Sequence, residues 1–167
     1  MKNMTREQKI ILEIDTNPGI RFRELMKAMK ITNGVMSYYI QKLEKSGVVN
    51  TERTSGVLRL FSNTIKSSDI DIIKFLRIST PKKIMVVLLE EDLLTFKQIT
   101  EKIQMSPSTT SFYLGKLLQA KILSISNISP KKYTLNHKQK VSNLIVLYHP
   151  SIVDSASDNL TDIFSAY

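Results

Sequence analysis

From position 33 to 45 the chain reads Asn-Gly-Val-Met-Ser-Tyr-Tyr-Ile-Gln-Lys-Leu-Glu-Lys. Met36, Ile40 and Leu43 recur at helical spacing and so mark one buried stripe. The opposite face carries Asn33, Gly34, Ser37, Tyr38 and Gln41, with Lys42 and Lys45 at its margin. Asn and Gln present a donor beside an acceptor, the arrangement that matches base edges in a major groove, whereas Lys matches a phosphate. A solvated helix face would also be polar, so this set acquires meaning only from the elements that hold it. Further along, Pro107, Ser108, Ser111, Phe112, Gly115 and Lys116 form a second such face with fewer hydrogen-bonding groups. More cations follow each helix: Arg53 and Arg59 after the first, Lys131 and Lys132 after the second. Arginine can enter a narrow minor groove, and lysine serves as a phosphate counter-charge.

Other chemistries find little support. The chain has no cysteine, which removes disulfides, thiolate zinc sites, iron–sulfur clusters and cysteine nucleophiles. His137 and His149 are the only histidines, too few for a metal site unless carboxylates complete it. Glu90-Glu91-Asp92 reads as a charge run at a helix end rather than a catalytic pair. The five glycines are scattered, so no phosphate-cradling loop is present. No catalytic, metal-binding or cofactor-binding residue is expected, and the chain is not expected to be an enzyme.

The elements that carry the polar faces occur twice. Shifted by 74 positions, residues 9–50 align with 83–124 without a gap. Lys9, Ile10, Phe22, Ser37, Tyr39, Lys42 and Leu43 meet identical residues at Lys83, Ile84, Phe96, Ser111, Tyr113, Lys116 and Leu117. Apolar positions coincide as well: Leu25 with Ile99, Met29 with Ile103, Ile40 with Leu114. Each copy predicts three helices and a hairpin. A first helix starts at Thr5, with Gln8 completing a capping box, or at Ser79 or Thr80 with Pro81 in the first turn. A short extended piece, Ile20–Phe22 or Leu94–Phe96, leads to a second helix burying Leu25 and Met29, or Ile99 and Ile103. A tight turn precedes the third helix, opened by Thr32-Asn33 or Ser106-Pro107. Gly47 ends it in the first copy, after which alternating patterns at 48–53 and 57–61, or 122–126 and 132–135, give the hairpin. Tyr39 and Tyr113 precede a core position and are expected to pack on the helix flank.

Between the copies, Ser68 and Asp71 could cap a linker helix carrying Ile70, Ile73 and Leu76. After residue 137 one helix is striped by Val141, Leu144, Ile145 and Tyr148. Pro150 breaks the chain, and Ser151 with Asp154 caps a last helix carrying Ile152, Ala156, Leu160, Ile163 and Phe164. The order helix, strand, helix, turn, helix, hairpin is that of a winged helix. The fold expected is mainly α with small β-hairpin wings, an α+β class. Its parts are a first winged helix-turn-helix domain at 1–63, a linker helix at 64–79, a second domain at 80–137, and C-terminal helices at 138–167.

The stretches Ile31-Thr-Asn-Gly-Val-Met-Ser-Tyr-Tyr-Ile-Gln-Lys-Leu and Met105-Ser-Pro-Ser-Thr-Thr-Ser-Phe-Tyr-Leu-Gly-Lys-Leu resemble prokaryotic winged helix-turn-helix regulators. The nearest types are the small arsenic-sensor and multiple-antibiotic-resistance repressors, and two such units in one short chain look like archaeal tandem regulators. The resemblance covers residues 5–137 and implies sequence-specific binding of double-stranded DNA by a homodimer. Two features depart from it. Lys30 and Gln104 stand where the turn often has glycine, and the metal-sensing cysteines are missing, so that input chemistry does not carry over.

On this reading the residues expected at DNA are Asn33, Gly34, Ser37, Tyr38, Gln41, Lys42, Arg53 and Arg59 in the first copy. Those in the second are Ser108, Ser111, Lys116, Lys131 and Lys132. The 24 basic and 15 acidic side chains give a net charge of +9. Residues 1–66 carry +6 of it, 67–137 carry +4, and 138–167 carry −1. Five of six arginines lie in the first copy, so the first is expected to be the principal reader and the second an auxiliary binder or platform. A 42% hydrophobic share with 23% charged residues supports a packed core. The longest apolar run, Ile84 to Leu89, is far short of the ~20 residues that span a bilayer, and MKNMTREQK has no signal-peptide core. A cytoplasmic, nucleoid-associated protein with no membrane partner is expected; a small-molecule effector remains unknown. The alternatives are a protein-interaction scaffold, disfavoured by the basic surplus, and an RNA or transcription-machinery module.

Overall fold

Helix formation begins at Thr5, whose hydroxyl accepts the Gln8 N–H at 3.2 Å while the Gln8 side chain accepts the Thr5 N–H at 2.8 Å. This is the reciprocal cap expected from the sequence. The computed structural model describes residues 4–148, which fall into two compact units divided between Ile70 and Asp71. In the first unit, α1 (Arg6–Thr16), β1 (Ile20–Arg21), α2 (Phe22–Met29) and α3 (Asn33–Lys45) precede a hairpin of β2 (Val49–Thr54) and β3 (Val57–Ser62). Strand β3 is central, paired antiparallel with β1 and β2, and Ile20 faces Leu60 across the first pair. Ile10, Ile14, Ile20, Leu25, Met36, Ile40, Leu43, Val49 and Leu60 form one core cluster, and Phe22, Ile31 and Tyr39 pack against it.

Chain reversals are set by backbone chemistry at a few positions. After α3, the Gly47 N–H donates to the Glu44 carbonyl and the Val48 N–H to the Leu43 carbonyl, with Gly47 at φ +71°. That is a Schellman closure, and it sends the chain into β2. The hairpin turn places Ser55 at φ +49° and Gly56 at +76° between paired Thr54 and Val57. Two positive φ values in a two-residue loop match the right-handed twist of the strands. Lys30 ends α2 at φ +53°; its N–H donates to Lys27 and the Ile31 N–H to Met26.

Helix α4 (Ser67–Leu76) runs across the division and buries Ile72, Ile73 and Leu76. It starts one residue earlier than the Ser68 cap expected, and the Ser68 hydroxyl donates to Asp69 instead. In the second unit, α5 (Ser79–Glu90), β4 (Leu94–Thr95), α6 (Phe96–Ile103), α7 (Pro107–Gln119), β5 (Leu123–Ile125) and β6 (Lys132–Leu135) repeat the order of the first, and β6 is the central strand. Ile84, Met85, Leu88, Ile99, Leu114, Leu117 and Leu135 are buried. The cap of α5 differs from expectation: Ile78 occupies it, with no side-chain bond, and Ser79 and Thr80 lie inside the helix. Pro81 is tolerated there because first-turn N–H groups have no intrahelical acceptor to lose. Helix α8 (Lys138–Tyr148) buries Val141, Ser142, Leu144 and Ile145 and contacts α5. The expected last helix, with Pro150, Ser151 and Asp154, lies outside the described residues, as does His149.

Asp92 ties the second unit together. Its carboxylate accepts from Thr134 at 2.6 Å, pairs with Lys138, and accepts the Leu93 N–H at 3.0 Å. Burial pushes this carboxyl up, but hydrogen bonds from Lys138 and Thr134 and the Lys138 charge outweigh it, and the net direction is down. A lowered native value contributes stability above the ordinary aspartate range, near about 3.9, and that contribution is lost as pH falls through the native value. Urea midpoints at pH 3 and pH 6 should therefore differ less for Asp92→Asn than for the natural chain.

Lys30 and Gln104 adopt φ +53° and +54°, a region costing an L-residue about 1–2 kcal/mol. Lys30→Gly and Gln104→Gly should each stabilise the fold by about 0.5–1 kcal/mol after glycine's larger unfolded-state entropy is deducted. A higher denaturation midpoint at unchanged slope is the measurement.

Candidate nucleic-acid interface

The buried stripe Met36, Ile40, Leu43 fixes the roll of α3, so its outward face is the one carrying Asn33, Gly34, Tyr38 and Gln41, all exposed. The Ser37 hydroxyl, half-buried, donates to the Asn33 side-chain oxygen at 3.1 Å. That bond holds the Asn33 amide in place and leaves its NH2 group as a donor. Beside this face lies a cleft of about 810 Å³, walled by the start of α2, by α3, and by the hairpin from Thr51 to Leu58. Arg21 enters from the end of β1, Arg23 from α2, Arg53 from β2, and Asn33, Ser37 and Gln41 from α3. All three arginines are exposed. Glu44 also lines the cleft, where its carboxylate accepts from Thr51 at 2.5 Å.

Arg21 and Arg23 lie outside the residues that the sequence pattern singles out for DNA. Each flanks the half-buried Phe22, and the alternation Arg-Phe-Arg is the one local sign that both point away from the core. Only the packing of α2 against the β-sheet brings them beside α3. Arg21 is partly engaged, with its guanidinium 3.8 Å from the Glu24 carboxylate, which also accepts the Arg21 backbone N–H at 3.0 Å.

Two expected contact residues have other employment. Arg59 is only 8% exposed and donates from Nη1 to the Gly19 carbonyl at 2.9 Å. It sits on the central strand, opposite Glu52 and Arg21, where a side chain is covered from both edges. The expectation of a wing contact from Arg59 is therefore corrected to a structural tie between β3 and the turn before β1. Lys42 is exposed but pairs with Glu7 of α1 at 2.6 Å, and the hydrogen bond and charge of Glu7 raise the lysine above its ordinary range.

In the second unit, Ser106 caps α7 by accepting the Thr109 N–H, and Thr110, Leu114 and Leu117 face inward. Ser108, Ser111, Phe112, Gly115 and Lys116 are exposed. The Ser106 and Ser108 hydroxyls lie 3.1 Å apart, and Lys116 Nζ stands 5.6 Å from the centre of the Phe112 ring. Lys131 is exposed in the hairpin loop; Lys132 is half-buried, with its N–H on the Ser126 hydroxyl. Arg21 and Arg23 correspond here to Thr95 and Lys97, so no arginine trio forms. Tyr39 and Tyr113 are half-buried and meet their neighbours Tyr38 and Phe112 edge to face. Among the described residues no group of three His, Asp or Glu side chains is placed to hold a metal ion, and no helix is long and apolar enough to cross a membrane.

Comparison with known families agrees with the fold of the two units. Residues 5–50 match the family of winged helix-turn-helix DNA-binding domains, and residues 79–124 match the bacterial regulatory proteins of the arsR family. The protein carries two winged helix-turn-helix domains in tandem. Both matched stretches begin and end 74 residues apart, the offset of the internal repeat. They end within the first strand of each hairpin, so the rest of each wing is defined by the β2–β3 and β5–β6 pairing. No curated protein matches the chain significantly. A tandem winged helix-turn-helix protein of this kind is a DNA-binding regulator, related in its second domain to the arsR family.

The roles of the two wing arginines separate in stability. Arg59→Ala leaves the buried Gly19 carbonyl without its donor and should cost about 1–3 kcal/mol. Arg53→Ala on the exposed strand should stay within about 0.5 kcal/mol of the natural chain. Chemical denaturation of both variants distinguishes them.

Proposed function

We propose that this regulator reads double-stranded DNA sequence-specifically, with α3 in the major groove and the β2–β3 wing on the backbone or in the adjacent minor groove. The observation that carries the proposal is the first domain's cleft, in which Arg21, Arg23 and Arg53 surround the polar face of α3. A helix fits the major groove, and hydrogen-bonding side chains there can distinguish all four base pairs. Asn33 and Gln41 are the base-reading candidates, Ser37 positions Asn33, and the arginines hold phosphate or a narrow minor groove. The first domain is the principal reader because the trio exists only there. The second domain adds Lys116, Lys131 and Lys132 as phosphate contacts.

This function needs no catalytic group, so a non-enzymatic role is part of the proposal, as is a cytoplasmic location on the nucleoid. We also propose a homodimer formed through the C-terminal region. Val146 is 41% and Leu147 66% exposed on α8, apolar surface that a second copy could cover. Sedimentation as a monomer at micromolar concentration would count against the dimer.

Binding to duplex DNA should weaken steeply with salt, because each phosphate contact releases counterions. Arg21→Ala, Arg23→Ala and Arg53→Ala should each flatten the log–log slope by about 0.9 and weaken all sequences alike. Asn33→Ala and Gln41→Ala should leave the slope unchanged and lose about 1–3 kcal/mol of discrimination at one base pair each. Fluorescence anisotropy on duplex DNA, with duplex RNA and single strands as comparison, measures all of these. Equal affinity for duplex RNA would transfer the role to RNA.

A further inference from the structure

The two third helices share an outward position that hydrogen bonding does not explain. In α7, Thr110, Leu114 and Leu117 are buried, and at about 100° per residue Phe112 falls opposite their centre. It is 58% exposed, and its counterpart Tyr38 on α3 is 63% exposed. A large ring left in water at the outermost point of a helix forgoes the gain of burial. The ring is braced: Tyr113 meets it edge to face at 5.1 Å and 84°, and Lys116 Nζ lies 5.6 Å from its centre. On α3, Tyr38 and Tyr39 make the same contact at 5.5 Å. The position is therefore built, twice, to hold an aromatic side chain outward.

Space has been kept beside it. Gly115, one turn along the same face, lies within α7, and a Cβ there would meet no atom within 4 Å. Gly34, one turn before Tyr38, is equally open. Glycine weakens a helix relative to alanine, and nothing inside the domain requires it at 115. The requirement then comes from outside, from a partner that approaches the backbone closely.

Phenylalanine has neither donor nor acceptor on its side chain, so it cannot read the hydrogen-bonding pattern of a base pair. The one apolar feature on the major-groove edge is the C5-methyl group of thymine. We propose that Phe112 recognises a thymine methyl, with Gly115 giving the clearance for that approach. The second domain thereby reads sequence by apolar contact, where the first uses amides and hydroxyls. Lys116, beside the ring, supplies charge complementarity to the neighbouring phosphates. This proposal rests on the DNA-binding reading above.

The test uses the full chain and duplexes it selects from a random library. Each thymidine of a selected duplex is replaced singly by deoxyuridine, which removes only the methyl group. The natural chain should lose about fourfold in affinity at one or more positions, the worth of one buried methyl. Phe112→Ala should bind thymidine and deoxyuridine duplexes equally at those positions. Gly115→Ala should raise the denaturation midpoint yet weaken duplex binding, a pairing of signs that a purely structural glycine would not give. Duplex binding that is indifferent to every methyl, or a methyl effect that survives in Phe112→Ala, overturns the proposal and leaves the DNA-binding role standing. Failure of the natural chain to bind any duplex overturns both.

Discussion

Three buried side chains on the third helix of each domain govern what the surface can do. Met36, Ile40 and Leu43 in the first domain, and Thr110, Leu114 and Leu117 in the second, are held at or near zero exposure. Because a helix repeats every 3.6 residues, fixing that stripe fixes the opposite one. A half-turn roll would bury Gln41 or Gly115 and expose leucine, at a cost of several kcal/mol for each large apolar side chain withdrawn from the core. Outward presentation of Asn33, Tyr38 and Gln41 is thus a consequence of packing and requires no contact of their own. The Schellman closure at Gly47, and its counterpart in which Lys121 and Ile122 donate to Leu118 and Leu117, then start the hairpin beside that face.

The same scaffold supports different surface chemistry in its two copies. The first surrounds its polar helix face with Arg21, Arg23 and Arg53, whose forked guanidinium groups suit bidentate recognition of phosphate. The second has Thr95 and Lys97 at the corresponding start of α6 and lysines in its hairpin, and its outward helix face is nearly without amides. The two domains share one element order and differ in surface composition. The two wings also differ inside. Arg59 is drawn into the structure by the Gly19 carbonyl, whereas at the aligned strand position Lys132 uses its backbone N–H on Ser126.

The tandem winged-helix architecture could be read from the sequence because it rests on periodicity, which is local. The repeat offset, the helix stripes and the Thr5–Gln8 and Ser106 caps each depend on residues a few positions apart. What could not be read depends on distant pairing. Arg59 looked like a free wing cation because nothing near it in sequence shows that β3 is the central strand, or that Gly19 lies 40 residues earlier beside it. Lys42 is tied to Glu7 across 35 residues for the same reason. Arg21 and Arg23 line the cleft only through the packing of α2, α3 and the hairpin. Ser79 and Thr80 are good capping types, yet Ile78 holds the cap of α5, and Thr80 and Pro81 are buried within its first turn.

On the proposed function, the cleft of the first domain is the face that meets DNA. Backbone amide chemical shifts of the full chain, followed through titration with duplex DNA, test it most directly. Perturbations should concentrate at the start of α2, along the outward face of α3 and at the hairpin turn, with α1 unperturbed. Perturbations confined to α1 or to the buried edge of the sheet, with Arg23, Gln41 and Arg53 unmoved, would contradict it.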